Sequence, residues 1–461
     1  MATDDAKARL AAKAGRATAR REDREDLAGA HEGADAGGGK KPWYKVVGPG
    51  LVTGAADDDP SGIGTYSANG ARFGYVLLWL VPLCIPLMIA VQEMCGRMAT
   101  VTGNGLAGVI KQHYPRWLLY GCMGLLVAAN VFNVFADLDV MAASSEMLFG
   151  IPAWLGLVVF TVVLVATQIL IPYRLYARIL KWLCLAIAGY AVVAFLPGVG
   201  HDWGALFTGL VVPHLDLKTD TVLAIVAFLG TTISPYLFFW QAGQTVEEEI
   251  AERKSDGLGA RTIRATNREF RNIRADTVTG MVASQAVAFF VVIAAAGTLH
   301  ATGTTDIETA QDAARALEPL GPAAYWVFTL CMIGTGLLAI PTLAGSAAYA
   351  VAETFGWRHG LYRRFGRAVR FYLVVAAVIV VGCLLNFVGV ISPIKALVWS
   401  AALNGMVAPP LIVVLLLICN NPKIMGKRTN GRRSNFFSWA TVALMGPAAI
   451  YLVFAMVTGR A

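Results

Sequence analysis

Gly48-Pro49-Gly50-Leu51-Val52-Thr53-Gly54-Ala55-Ala56-Asp57-Asp58-Asp59-Pro60-Ser61-Gly62 opens the first long apolar stretch of the chain, and Ala227-Phe228-Leu229-Gly230-Thr231-Thr232-Ile233-Ser234-Pro235-Tyr236 sits in the middle of another. Each stretch is apolar enough to cross a membrane as a helix, and each is damaged as a helix. Proline lacks the backbone donor and clashes with the preceding turn. A carboxylate inside hydrocarbon costs several kcal/mol unless it is paired or faces water, and the first stretch carries three, Asp57, Asp58 and Asp59. Backbone groups freed by Pro and Gly find no partner in lipid, so such a break is tolerated only where protein or a water-filled cavity surrounds it.

The composition requires a membrane. Of 461 residues 56% are hydrophobic and 15% charged, against roughly 25% charged in soluble domains; so few charges cannot cover a soluble surface, and lipid takes their place. The 47 glycines suit close helix contacts. The net charge of +8 raises nucleic acid as a partner, but the position of the charges excludes it. The seven cysteines, Cys84, Cys95, Cys122, Cys184, Cys331, Cys383 and Cys419, all lie in apolar stretches without a CxxC pair, and read as small buried hydrophobes rather than a disulfide framework. Residues 1–41, rich in Ala, Gly and both charge signs, read as a disordered cytoplasmic tail without a cleavable signal peptide. Residues 42–461 read as one transmembrane domain, entered through the interfacial anchor Lys40-Lys41-Pro42-Trp43-Tyr44-Lys45.

Spans of about 20 apolar residues fall near 47–69, 74–98, 117–148, 152–172, 177–197, 221–246, 277–299, 322–354, 370–391, 394–419 and 436–458, eleven in all. With the N-terminus inside, 33 of the 38 Lys and Arg fall on the inner side, and only Arg72, Lys218, Arg315, Lys395 and Arg460 fall outside. This bias orients the chain in a cell's inner (plasma) membrane with the N-terminus cytoplasmic and the C-terminus outside. The longest outer loops are 198–220 and 300–321, the second with a short surface helix expected over 306–317.

The interrupted spans are the first and the sixth. If spans one to five (about 47–197) and six to ten (about 221–419) are two repeats, the breaks occupy corresponding positions, and 436–458 is an extra helix. Five spans per repeat is odd, so the repeats are inverted. A lone Pro signals only a kink; two matched interruptions, one holding three Asp, point to an ion or substrate site at the midplane. Asp59 beside Pro60 sits at the break, while Asp57 and Asp58 are expected to line its aqueous mouth. In the third span Asn130, Asn133 and Asp137 recur at i, i+3 and i+7 and share one face. That face is either glue between helices or a stripe toward a polar interior; Asp137 is the favoured second carboxylate. Asn404, near Gly405 and Pro409-Pro410, either packs or reaches the site. Glu93 and Arg97 are spaced for an ion pair, and Glu247, Glu248 and Glu249 read as a solvated helix end. No His falls in the middle of a span.

These residues carry a family resemblance. The segment from Gly48 to Gly62, continuing through Tyr66, resembles the first helix of the Nramp divalent-metal transporters, whose signature is Asp-Pro-Gly-Asn; the sixth span resembles that family's Met-Pro-His helix. The segment from Gln92 to Gly105, with Val101-Thr102-Gly103, and the turn Phe149-Gly150-Ile151-Pro152 are also similar, so that the resemblance spans about 42–458. It implies an all-α membrane protein with the LeuT-like fold: inverted five-helix repeats, helices one and six broken, eleven transmembrane helices. It also implies a metal site drawn from Asp59, Gly62, Thr231, Ser234 and Asp137, to which Asn404 is added as the polar residue beside a helix irregularity. Asp59 keeps the family's acid, but Ser61 replaces the Gly and Gly62 the Asn of the signature; Thr231 and Ser234 stand where an Ala carbonyl and a Met thioether are usual, and Tyr236 replaces the His. That pattern is similar to the Nramp-related magnesium transporters.

The chemistry of the departures agrees. A thioether favours soft transition metals, and Mg²⁺ keeps several of its waters and needs room for them; Gly62 and Ser234 are smaller than Asn and Met. The resulting expectation is a transporter, not an enzyme, needing no cofactor, that carries Mg²⁺, and Mn²⁺ as well, by alternating access with weak or no proton coupling. The alternatives are a proton-coupled Mn²⁺/Fe²⁺ importer, which the missing Met and His disfavour; a non-transporting membrane receptor on the same scaffold; and an intramembrane aspartyl enzyme, in which the sixth-span break has no role.

Overall fold

The computed structural model describes residues 53–54, 56–170, 188–196, 199–216, 218–251, 266–388 and 392–458. The expected tail, its anchor and Cys184 lie outside them. Among the described residues there is helix and no strand, and nine helical segments are long and apolar enough to cross a membrane. These correspond to nine of the eleven expected spans; the first and fifth fall partly on residues outside the described set.

Helix α1 (Pro60–Phe73) is the second half of the first span. It starts at Pro60 because proline tolerates the first helical position, and Asp59 caps it from an extended backbone by accepting the Gly62 N–H. Then come α2 (Leu80–Thr102), a short α3 (Leu106–His113), the long α4 (Arg116–Phe149), α5 (Ala153–Leu170), α6 (Ala188–Ala194) and α7 (Trp203–Val211). The sixth span is two helices, α8 (Thr219–Thr232) and α9 (Pro235–Ala251), separated by the non-helical Ile233 and by Ser234. The Ser234 hydroxyl lies 2.6 Å from Gly230 O and 2.8 Å from Thr231 O, giving freed carbonyls a donor that lipid cannot supply. The chain continues with α10 (Asn267–Ala295), α11 (Ala310–Ala314), α12 (Ala323–Phe355), α13 (Val369–Asn386), α14 (Pro393–Cys419), α15 (Pro422–Met425) and α16 (Arg432–Val457).

Three boundaries differ from the sequence reading. Helix α10 begins ten residues before the expected 277, because a Thr266–Glu269 capping box starts it inside the basic segment. The turn over 306–317 becomes helical only at Ala310, where Thr309 and Asp312 form a second capping box. Helices α3 and α7 fill loops that hydropathy leaves blank. Glu247 is a correction too: its carboxylate accepts from Tyr349 Oη on α12 and, at 2.6 Å, from the Leu361 N–H, so it fastens α9 to α12 rather than facing solvent. Glu93 pairs with Arg97 at 3.9 Å and with Arg274 at 3.6 Å. The six described cysteines are buried.

Helix α1 packs against α10, α14, α8 and α4, so the first break is enclosed by protein. The sixth span is enclosed as well: 94% of its central window is buried, against 28% for α5 and α16, which face outward. Close approach makes this possible. Gly230 of α8 lies against Ala401 O and the Gly405 backbone of α14, and Gly405 in turn against Val226 O, each nearer than a methyl group can come. Gly230→Ala is therefore expected to force α8 off α14 and to destabilise the protein by about 1–3 kcal/mol, in the range of overpacked cores, read as a lowered unfolding temperature in detergent; an unchanged temperature would show that the contact does not hold these helices.

Candidate metal-binding site

The two breaks face each other. A methyl group built on Gly62 would lie 3.2 Å from Thr231 Oγ1, 3.2 Å from Asp57 O and 3.4 Å from Asp59 Oδ1. Asp59, Gly62 and Thr231 therefore border one point, so closely that a side chain at position 62 would crowd it. Asp59 Oδ1 is committed to the start of α1, accepting from Gly62 N at 2.6 Å and Ser61 Oγ at 2.7 Å. Its Oδ2 has only a 3.5 Å approach from Tyr236 Oη and is the oxygen left for a cation. Thr231 Oγ1 is buried without a hydrogen bond among the described residues.

Asp137 of α4 is fully buried. Both its oxygens lack a hydrogen bond of ordinary geometry among the described residues, while the Asp59 carboxylate and the Ser61 N–H are its electrostatic neighbours. Buried carboxylates normally have partners, so these oxygens are suited to a cation or its water shell. The shared polar face of α4 divides its work. Asn130 donates to Leu343 O and Ser346 Oγ of α12, both at 2.8 Å, and is glue; Asn133, one turn nearer Asp137, has neither amide atom partnered. Asn404 on α14, the helix packed against both α1 and α8, is likewise buried with both amide atoms free of hydrogen bonds. Ser234 is buried at the second break, but its proton is committed to the α8 carbonyls, so only its oxygen lone pairs remain for an ion. The set brought together is thus Asp59, Gly62 and Thr231 in mutual contact and Asp137 within electrostatic reach, with Ser234 at the facing break and Asn404 on the adjoining helix. No group of three or more His, Cys, Asp or Glu in ligating arrangement occurs among the described residues; the donors here are two carboxylates and neutral oxygens.

Two sequence expectations change. Asp57 and Asp58 do not line an aqueous mouth: both are buried, and both turn to Ser284 of α10, whose Oγ lies 2.6 Å from Asp57 Oδ2 and 3.2 Å from Asp58 Oδ1. Tyr236, noted in the sequence only as the residue in place of the family's His, has a positional role. Its hydroxyl donates to Ala56 O at 2.9 Å and so ties α9 to the carbonyl that the first break releases. Its place directly after Pro235 was the available signal.

An all-helical membrane protein of the LeuT-like type, with two facing helix breaks around buried carboxylates, is the class that this fold and site define. The family model described as natural resistance-associated macrophage protein-like, Nramp, matches residues 50–455; the chain belongs to that family. Among similar proteins, a divalent metal cation transporter MntH of Chromohalobacter salexigens is 26% identical over 427 residues, covering 91% of this chain and 93% of its own length. The MntH of Burkholderia ambifaria is 27% identical, with 89% and 88% covered. The manganese transporter of Eremococcus coleocola has the same fold, with a TM-score of 0.70 at 18% identity over 90% of this chain and 88% of that one. The nucleobase-cation-symport-1 family transporter MHP1 shares it at a TM-score of 0.56 and 15% identity, covering 89% of this chain and 93% of its own.

The geometry separates the two carboxylates. Asp59→Ala is expected to weaken divalent-cation binding at least about 100-fold, since loss of an outer-shell partner alone costs about 10–100-fold, with the protein still monodisperse. Asp137→Ala should weaken it less, and Asp137→Glu less again, because a longer carboxylate still reaches a hydrated ion. Titration calorimetry of the three variants checks both statements; wild-type affinity in Asp59→Ala would remove Asp59 from the site.

Proposed function

We propose that the chain is a divalent metal cation transporter working by alternating access, with Mg²⁺ as its main substrate, Mn²⁺ accepted as well, and weak or no coupling to protons. The coarser part is supported by family membership and by relatives that bear the names divalent metal cation transporter and manganese transporter. Its seat is a cell's inner (plasma) membrane with the N-terminus cytoplasmic and the C-terminus outside, which the 33 inner Lys and Arg of 38 support. No cofactor and no enzymatic step enter the reading.

The observation that carries the magnesium assignment is the all-oxygen border of the point at Gly62, with Thr231 Oγ1 at 3.2 Å and Asp59 Oδ1 at 3.4 Å from where a side chain would begin. With Ser rather than Met at position 234, the site offers only oxygens from these residues. Hard oxygen donors suit a hard divalent ion such as Mg²⁺. Weak proton coupling is supported by Tyr236, whose hydroxyl is engaged with Ala56 O and whose ordinary pKa of about 10 makes it a poor carrier near neutrality. A transition-metal reading has one observation in its favour. Met141, one turn past Asp137 on α4, is fully buried, and its sulfur borders Gly336, as does the Pro60 ring.

The double substitution Gly62→Asn with Ser234→Met crowds the point between the breaks and supplies a soft ligand. Titrated in detergent with Cd²⁺ and Mg²⁺, the variant is expected to gain in relative affinity for Cd²⁺ by at least about tenfold, equivalent to about 1.4 kcal/mol, with Mg²⁺ binding reduced. Unchanged relative affinity would mean that Gly62 and Ser234 do not set selectivity, and would remove the main support for magnesium.

A further inference from the structure

Four carboxylates surround the first break, Asp57, Asp58, Asp59 and Asp137, and all are buried. None forms an ion pair with Lys, Arg or His among the described residues. One divalent substrate ion at Asp59 and Asp137 balances two of the four charges. The other two belong to Asp57 and Asp58, which turn away toward α10 and share a single neutral donor, the Ser284 hydroxyl, at 2.6 and 3.2 Å. One hydroxyl proton can serve only one of them at a time. Charges removed from water in this way are strongly destabilising unless they are compensated.

A second observation at the same place is Tyr66. It is fully buried on α1, and its hydroxyl makes no hydrogen bond among the described residues, although Asp57 and Asp58 come first among its charged neighbours. A buried tyrosine hydroxyl usually finds a partner; one left unpaired beside two carboxylates has its lone pairs available to an ion that the carboxylates would hold. Asp57 Oδ1 is also without a partner. Cys84 borders the cluster, but its sulfur takes the Thr232 hydroxyl at 3.5 Å, which leaves oxygens as the donors.

We infer that Asp57, Asp58, Ser284 and Tyr66 form a second cation site on the α10 side of the break, taking a hard, oxygen-liganded divalent ion of the same class as the substrate. The site deepens the transport reading and rests on it: Asp57 and Asp58 follow one another directly into Asp59, so an ion on the first pair stands next to the substrate position and shares its backbone. Occupancy of the second site neutralises the segment that must keep its shape while the substrate ion comes and goes. Its ligands are two carboxylates and two hydroxyls, a set that discriminates against soft metals.

The test counts ions. The full-length protein in detergent is titrated with Mn²⁺ as a paramagnetic stand-in for Mg²⁺, free ion being read by electron paramagnetic resonance, and the titration is repeated in competition with Mg²⁺. The wild type is expected to bind two Mn²⁺ per chain, both displaced by Mg²⁺. The isosteric pair Asp57→Asn with Asp58→Asn, and separately the milder Ser284→Ala with Tyr66→Phe, should lose or weaken one ion at least about tenfold, while Asp59→Ala loses the other. Size-exclusion profiles report folding of each variant, and the wild-type count needs no variant at all. One ion per chain, abolished by Asp59→Ala and indifferent to residues 57 and 58, would overturn the second site, leave the transport reading standing, and mean that protons hold the pair. No bound ion in the wild type would overturn both.

Discussion

Inside a bilayer a helix cannot stop without supplying partners for the backbone groups that it releases. The chain meets that requirement twice. At the first break the Asp59 carboxylate takes the Gly62 N–H and the Ser61 hydroxyl, and Tyr236 reaches across to the Ala56 carbonyl. At the second, Ser234 serves the carbonyls of Gly230 and Thr231. Asp59 and Ser234 do both jobs, since each repairs a break and keeps an oxygen or lone pair for a cation, and the site depends on the two breaks staying opposed.

The surrounding helices hold that opposition. Glycine contacts bring α8 onto α14, and Gly54 lies as closely against the Gly280 backbone of α10. Without a hydrophobic drive between helices in lipid, such close van der Waals contacts carry much of the association. At the end that carries the basic loops, Glu247 joins α9 to α12 and to Leu361, while Glu353 accepts the Gly108 N–H of α3 at 2.8 Å. His359, 3.8 Å from Glu353, is pushed below the ordinary histidine pKa by burial. Near neutral pH it is uncharged and adds no ion pair there.

Much of this was legible in the sequence. The breaks announce themselves because Pro, Gly and Asp are costly in apolar spans, and nine expected spans appear as helices of spanning length among the described residues. The polar stripe on α4 was legible as a stripe, but not in its division between Asn130, which holds α12, and Asp137, whose oxygens lack a hydrogen bond of ordinary geometry among the described residues. Asp57 and Asp58 were misread because sequence does not say which way a side chain leaves a non-helical turn; Ser284, which claims both, lies 226 positions beyond Asp58. Tyr236 escaped because its role comes from reach, not from titration. The helix starts at Asn267 and Ala310 were missed where capping boxes, at Thr266 and Thr309, outweigh a charged composition.

The account places a site whose donors are carboxylate and neutral oxygens at the meeting of two broken helices and draws from it a preference for a hard divalent ion and little movement of protons. Reconstitution into sealed proteoliposomes, with uptake of Mg²⁺ and Mn²⁺ followed alongside internal pH, tests this most directly. The account predicts Mg²⁺ uptake that saturates, is competed by Mn²⁺, and leaves the internal pH unchanged as the ion enters. Uptake of Mn²⁺ that excludes Mg²⁺ and acidifies the interior in step with the metal would contradict it.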